Sequence, residues 1–261
     1  MLYQKKYLKY KKKYIYLKKS ILKGGKPYPY YNDLYDHPED IYYENLSNIL
    51  IKTAGHDDII IDGEPSYFTY IDDTFFKQYI NLRYINLSPL SNVTTIGGQF
   101  MSNCTSLASI DLSVLTQLES IGDIFMMNCT SLTRINLLNL TQLKKIGNIF
   151  MFNCISITSI DLSNLIQLEE IGYGFMCECS NITSIDLSNL TQLKSINNDF
   201  MDSCDNLTSI NLSGLINLTS IGDRFLRNCC KIQEIKCNKN LEEKLLNILD
   251  KKLIDKIVIV N

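Results

Sequence analysis

The sequence predicts a β-rich α/β solenoid, a rod of stacked coils, and three observations carry that prediction. Phenylalanine recurs every 25 residues, at Phe75, Phe100, Phe125, Phe150, Phe175, Phe200 and Phe225. Isoleucine keeps the same interval at Ile110, Ile135, Ile160, Ile185, Ile210 and Ile235, and cysteine keeps it at Cys104, Cys129, Cys154, Cys179, Cys204 and Cys229. A fixed period of this kind marks a repeat architecture in which each coil packs only on its neighbours. Two helices with their turns need about 33 residues or more, so this period is too short for a helical pair.

The consensus reads L-x-x-I-x-L-x-x-L-x-x-L-x-x-I-G-x-x-F-M-x-x-C-x-x-L. Its I-x-L segment has strand alternation, and identical segments stacked coil on coil form a parallel sheet. Neighbouring coils then lie about 4.8 Å apart, which makes a rod of roughly 34 Å. The F-M-x-x-C spacing places its apolar residues on one face of a short helical turn. Gly97, Gly122, Gly147, Gly172 and Gly222 form a column interrupted only by Asn197. Glycine and asparagine share a tolerance of left-handed backbone, so a corner with positive φ is expected there. The column Glu119, Lys144, Glu169 and Lys194 alternates in sign, which favours correct register over a one-coil slip.

These residues carry a family resemblance. L-x-x-I-x-L resembles the leucine-rich repeat with 25-residue coils, and the trailing I-G-x-x-F-x-x-x-C-x-x-L is similar to its BspA-like, Treponema-type subclass. The likeness spans residues 67–237 and implies a protein-binding solenoid with parallel stacked strands. One departure stands out. Where many leucine-rich repeats place an asparagine after the strand, this chain has Leu115, Leu140, Leu165, Leu190 and Leu215. An asparagine ladder at that position is not expected.

The cysteine column is read as packing. Stacked coils hold equivalent Cβ vectors parallel, which is poor disulfide geometry. Zinc favours paired or mixed Cys/His ligands, and a catalytic thiol needs a base. The repeat supplies one thiol per coil, and both histidines, His37 and His56, precede it. Cysteine is also a small, readily buried hydrophobe. Cys177, Cys230 and Cys237 break the period, and of these Cys177 is expected at the surface.

The ends differ from the body. Residues 1–26 contain ten lysines and no acid, whereas the remainder has 16 basic and 28 acidic residues. Tyr3, Tyr7, Tyr10, Tyr14, Leu17 and Ile21 follow a heptad seam, so 1–26 reads as a basic amphipathic leader helix. Gly24-Gly25, Pro27 and Pro29 end it and open a linker over 27–45. The tract Lys9-Tyr10-Lys11-Lys12-Lys13-Tyr14 with its Gly-Gly resembles the leader of many mimivirus-like giant-virus proteins. That resemblance implies a viral chain addressed to the virion or viral factory. The segment alone suits an assembly tag, a helix for nucleic acid or anionic membrane, or a solvated helix without a role. Residues 46–66 are expected to form an N-terminal cap, and 238–261 a helix-and-strand C-terminal cap over the open end.

No run of apolar residues suits a secretory signal or a membrane span. An intracellular chain with reduced thiols is therefore expected, and the leader's resemblance implies host cytoplasm, viral factory or virion. Eleven Asn-x-Ser/Thr sequons arise largely from the repeat itself.

Function is expected to be binding. The chain shows no phosphate-binding glycine loop, no nucleophile beside a base and no metal motif, so no enzyme, cofactor or metal is expected. Asn86, Asp111, Asn136, Asp161, Asp186 and Asn211 do line one strand face. Paired acids can hydrolyse glycosides, but a period-locked column reads more simply as a solvated face. Where coils differ, two columns turn apolar together: Ile124 with Met127 and Ile149 with Phe152, followed by Cys177. Gln99, Ser102, Asp199, Asp202 and Arg224 rim them. They form either a protein-contact patch or a locally thicker core, and specificity on a solenoid sits where its coils vary.

Overall fold

The computed structural model describes residues 50–53, 58–62, 69–71, 73 and 75–260. The leader expected over 1–26 and the linker over 27–45 lie outside them. The coils contribute a strand from the I-x-L segment, in all but one of them, and a second, two-residue strand ending in the isoleucine before the glycine column. A hairpin of β1 (Leu50–Thr53) and β2 (Asp58–Asp62) starts the stack, with β1 and β2 antiparallel.

The second strands form one seven-stranded parallel sheet. They are β3 (Tyr70–Ile71), β5 (Thr95–Ile96), β7 (Ser120–Ile121), β9 (Lys145–Ile146), β10 (Glu170–Ile171), β12 (Ser195–Ile196) and β14 (Ser220–Ile221). Register is in step throughout: Ile121 faces Ile146 and Ile171 faces Ile196. On the other face β2 pairs in parallel with β4 (Tyr84–Asn86), and β6 (Ser109–Asp111) pairs with β8 (Arg134–Asn136). There β11 (Ser184–Asp186), β13 (Ser209–Leu212), β15 (Glu234–Cys237) and β16 (Ile257–Ile259) follow in order. The coil at 159–161 forms no strand, so the ladder is split there. The Thr183 N–H reaches Thr158 O at 3.4 Å, against 2.8 Å for Thr208 to Thr183 one coil on.

Between the faces the leucines repeat every third residue for a local reason. Leu115 N–H bonds Leu112 O and Leu118 N–H bonds Leu115 O, at 2.9 and 3.0 Å. Turns with i to i+3 bonds have about three residues per turn, so L-x-x-L-x-x-L keeps every leucine on one side. That side is the core, and Leu112, Leu115 and Leu118 are fully buried. The phenylalanines stack along the rod. Phe125, Phe150 and Phe175 have centroids 5.2 Å apart and planes within 5° of parallel.

The F-M-x-x-C segment is not the helical turn its spacing suggests. Its backbone alternates in hand, with φ of 60°, 52° and 60° at Ile124, Met126 and Asn128. The reason lies in hydrogen-bond direction. Alternation sends successive amides to opposite sides: Ile124 N–H to Asn148 O, Met126 N–H to Phe100 O, and Asn128 N–H to Phe152 O. A helix would spend those amides inside its own coil and leave the neighbours unbonded. Left-handed backbone costs roughly 1–2 kcal/mol per non-glycine residue. The inter-coil bonds and the burial of Phe125 and Met126 offset it.

The glycine column also has a different cause from the one its residues suggest. None of Gly97, Gly122, Gly147, Gly172 and Gly222 has positive φ; among the described glycines only Gly174 does, at 66°. A Cβ on Gly147 would lie 2.6 Å from the carbonyl carbon of Gly122. Close coil-to-coil approach therefore excludes a side chain. Asn197 shows what a Cβ does here: its N–H bond to Ile171 O is 3.0 Å, against 2.7–2.9 Å in the glycine coils. Gly147→Ala is expected to lower stability by about 2 kcal/mol, the scale of overpacking. Gly98→Ala, whose Cβ meets nothing closer than 3.4 Å, should stay within about 0.5 kcal/mol of wild type. Urea unfolding of both variants makes the comparison, and a positive-φ corner would instead make Gly147→Asn milder than Gly147→Ala.

Helices α1 (Lys239–Ile248) and α2 (Lys251–Ile254) cover the C-terminal end. Asn238 caps α1 by accepting the Asn240 N–H, and Leu241, Leu245 and Leu253 are buried. Lys244 Nζ donates to Leu218 O at 2.6 Å, and β16 extends the sheet in parallel beside β15.

Candidate functional site

The varied corner lies where the alternating backbone turns out of the seven-stranded sheet. Gln99, Ile124, Ile149, Gly174, Asp199 and Arg224 occupy equivalent left-handed positions, with φ between 57° and 66°. The Phe and Met residues beside them are fully buried. Ile124, Met127, Ile149 and Phe152 are half-buried, neither in the core nor freely exposed.

Cys177 departs from expectation: it is buried, with 8% of its surface exposed. Ser102 and Asp202 are buried at the equivalent position of other coils, and the Cys177 N–H bonds Gly174 O at 3.4 Å. Burial, then the nearby Asp202 carboxylate, pushes its thiol up to about 12. The exposed thiol is instead Cys230, where the chain turns toward the C-terminal cover and Lys252 Nζ lies 3.4 Å from Sγ.

Two rim residues, Ser102 and Asp202, are also buried. Asp202 accepts hydrogen bonds from Arg227, Ser203 and Asn228, and Arg224 donates to Asp199 at 2.7 Å. The rim on the C-terminal side is thus a set of ion pairs laid along the stack. Gln99, on the other side, accepts from Lys77.

The cysteine column is a hydrogen-bonded ladder as well as packing. Each thiol donates to a carbonyl of the preceding coil: Cys104 to Phe76 O at 3.1 Å, Cys129 to Met101 O at 3.2 Å, and so on to Cys229. A buried carbonyl such as Met101 O, which otherwise accepts only the long 3.3 Å amide bond of its own coil, thereby gains a second donor, one that alanine could not supply. All nine thiols are free.

Two side-chain ladders are not legible in the leucine-rich consensus. Asn128 Nδ2 donates to Asn103 Oδ1, and Asn153 Nδ2 donates to Asn128 Oδ1, both at 2.9 Å. Left-handed φ values of 56–63° suit asparagine at those three positions. After the glycine column, Asp73, Asp123, Asn148 and Asn198 each accept the N–H of the equivalent residue one coil on. The spacing of Asn-Cys and Gly-Asx pairs was the available signal for both.

The carboxylate column on the strand face builds turns. Asp111, Asp161 and Asp186 each accept the backbone N–H two residues on, at 2.8–2.9 Å. The Ser163 hydroxyl and amide hold Asp161 below the usual carboxylate range, and Asp186, though partly desolvated, is held low by Ser188. A glycosidase acid needs the opposite shift. On the second sheet, Lys144 pairs with Glu119 at 2.9 Å and Lys145 with Glu170 at 3.2 Å, all exposed and therefore worth little individually. Among the described residues, no three of His, Cys, Asp and Glu cluster as metal ligands would, and no helix is long and apolar enough to cross a membrane.

Stacked parallel strands, third-residue leucine turns and a phenylalanine spine define a leucine-rich-repeat solenoid. The BspA type leucine rich repeat region matches in six copies over residues 63–167 and 119–252, and the chain belongs to that family. Among solved structures it is similar to the T. pallidum leucine-rich-repeat protein, with a TM-score of 0.56 and 22% identity. That match covers 82% of this chain and 94% of the other. A leucine-rich repeat protein from Bacteroides ovatus aligns with a TM-score of 0.33 and 19% identity, over 74% of this chain and 66% of that one. A leucine rich cell surface protein from Faecalibacterium prausnitzii gives 0.32 and 16%, over 77% and 76%. No curated protein matches the chain.

Proposed function

We propose that this chain is a non-enzymatic protein-interaction scaffold, and that its partner contacts the corner formed by Ile124, Met127, Ile149 and Phe152. Leucine-rich-repeat proteins commonly act in this way. One observation carries the choice of surface. Ile124 and Ile149 are the only β-branched residues with positive φ among the described residues. A branched side chain is strained there, and both lie in the one place where the two outward columns turn apolar together. Strain kept at neighbouring surface positions is a mark of function.

The leader's resemblance supports a viral origin and an intracellular address in host cytoplasm, viral factory or virion. A second reading rests on the same segment: its ten lysines, set against an acidic body, suit nucleic acid or anionic membrane. Deleting residues 1–26 and repeating a pull-down beside a salt-dependent binding assay separates the two readings.

The patch itself is tested by Phe152→Asp and by Ile149→Asn, since asparagine favours the same backbone. Both should weaken partner capture from lysate at least tenfold while costing about 1 kcal/mol or less in stability. A loss of several kcal/mol from Phe152→Asp would assign that side chain to the core.

A further inference from the structure

One coil breaks the corner's pattern at adjacent places. Tyr173 stands where Asp73, Asp123, Asn148 and Asn198 form the ladder of side-chain acceptors, and Gly174 stands where neighbouring coils carry Ile149 and Asp199. One coil later, Asn197 replaces the column glycine. Beside this break lies an open groove lined by Asn148, Tyr173, Asn197, Asn198, Asp199 and Arg224. Tyr173 is 45% exposed there.

The groove's frame is held from both sides. Tyr173 N–H donates to Asn148 Oδ1 at 3.0 Å, Gly174 N–H donates to Asn198 O at 2.9 Å, and Ile149 N–H donates to Tyr173 O at 2.7 Å. Its functional groups are less committed. The Tyr173 hydroxyl and the carboxamide nitrogens of Asn197 and Asn198 have no hydrogen-bond partner among the described residues.

We propose that this groove binds a neutral pyranose sugar. Arg224 donates to Asp199 at 2.7 Å, so the two charges in the lining cancel locally and favour neither an anion nor a cation. The lining has one aromatic ring and no aliphatic residue, which suits a ligand with a single C–H face. Its other groups are carboxamides, a hydroxyl and a carboxylate beside a guanidinium. These donate and accept side by side, as vicinal ring hydroxyls require. A peptide side chain deep enough to anchor would need apolar walls that the groove lacks. The inference is independent of the protein partner proposed for the neighbouring patch.

Saturation-transfer NMR on the full chain tests it, with the methyl α-glycosides of glucose, galactose, mannose and N-acetylglucosamine as probes and sorbitol as an open-chain control. At least one glycoside should receive saturation at its ring C–H protons, with a dissociation constant on the order of millimolar, and sorbitol should not. Tyr173→Ala should weaken that binding at least tenfold, and Tyr173→Phe should keep most of it. Gly174→Gln sets a side chain beside the groove, next to Asp199 in the stack, using the residue already accommodated at Gln99 in the same left-handed position, with φ of 59°. It should abolish binding, with only the small fall in the unfolding midpoint that a non-glycine residue in left-handed backbone brings. No saturation of any of the four glycosides, equal saturation of sorbitol, or binding unaffected by Gly174→Gln would overturn the assignment.

Discussion

Raising the pH from 8 to 10 is expected to remove roughly 5 kcal/mol of stability, enough to bring the protein close to its unfolding midpoint. The cause is the thiol ladder. Burial pushes the Cys104 thiol far up and the Cys179 thiol up to about 12. The hydrogen bond with Cys129 and then burial raise Cys154, and the bond with Cys229 and then burial raise Cys204, while that bond holds Cys229 low and offsets part of the effect. Outside the ladder, burial also raises Cys177 and Cys237. In the unfolded chain these thiols ionise near 9.0. Below that pH both states hold the proton, and the full stability is present. Above it the unfolded chain releases protons that the native protein retains, so stability falls as pH rises, by about 1.4 kcal/mol per unit for each such thiol. The check is the urea midpoint measured against pH, for wild type and for Cys154→Ala/Cys179→Ala. The variant starts about 2–4 kcal/mol less stable at pH 7, since each change removes a small buried group, but its slope above pH 9 should be roughly halved. An unchanged slope would place the alkaline lability in the tyrosines and lysines. Native labelling at pH 8 is a companion measurement, in which Cys230 should react and the other eight thiols stay protected until unfolding.

What was legible in the sequence is whatever residue type and interval determine. Phe125, Leu132 and Ile135 recur because a solenoid's core repeats with its coil, and all are buried. The parallel sheets follow from the same register. The direction of a hydrogen bond is not written in a residue's type, and the missed features are of that kind. Met126 and Ile124 look alike as apolar letters, yet one amide bonds the preceding coil and the other the following coil. Gly147 would read the same whether glycine served a positive φ or a coil so close that a Cβ would lie 2.6 Å from the carbonyl carbon of Gly122. The candidate patch was found only as a departure from the period. Its half-burial depends on how far Ile124 and Phe152 lie between the core and solvent, which the period does not encode. Cys177 shows the limit: outside the cysteine column it is still buried, as Ser102 and Asp202 are at the equivalent position of their coils.

Truncating the phenylalanine spine should produce the largest effect of any single substitution, graded along the rod. Phe150 is fully buried and stacked on both sides, 5.2 Å from Phe125 and from Phe175. Phe150→Ala removes that ring where neither neighbouring coil can close the gap without breaking the inter-coil bonds that fix their spacing. The expected cost is about 3–5 kcal/mol, from lost transfer energy and the cavity left behind. Phe75 begins the described spine, half-buried and 6.4 Å from Phe100. Phe75→Ala should therefore cost only about 1–2 kcal/mol. In a stack whose stability is a sum of coil and interface contributions, an end residue supports one interface and a central residue supports two. Urea unfolding of Phe75→Ala, Phe150→Ala and Phe225→Ala would expose this gradient. Phe225 is 1% exposed beneath the C-terminal cover, so its loss should resemble that of Phe150 rather than Phe75. Equal costs at Phe75 and Phe150 would mean that the rings are not held as a continuous spine, and that the leucine turns alone set the spacing of the coils.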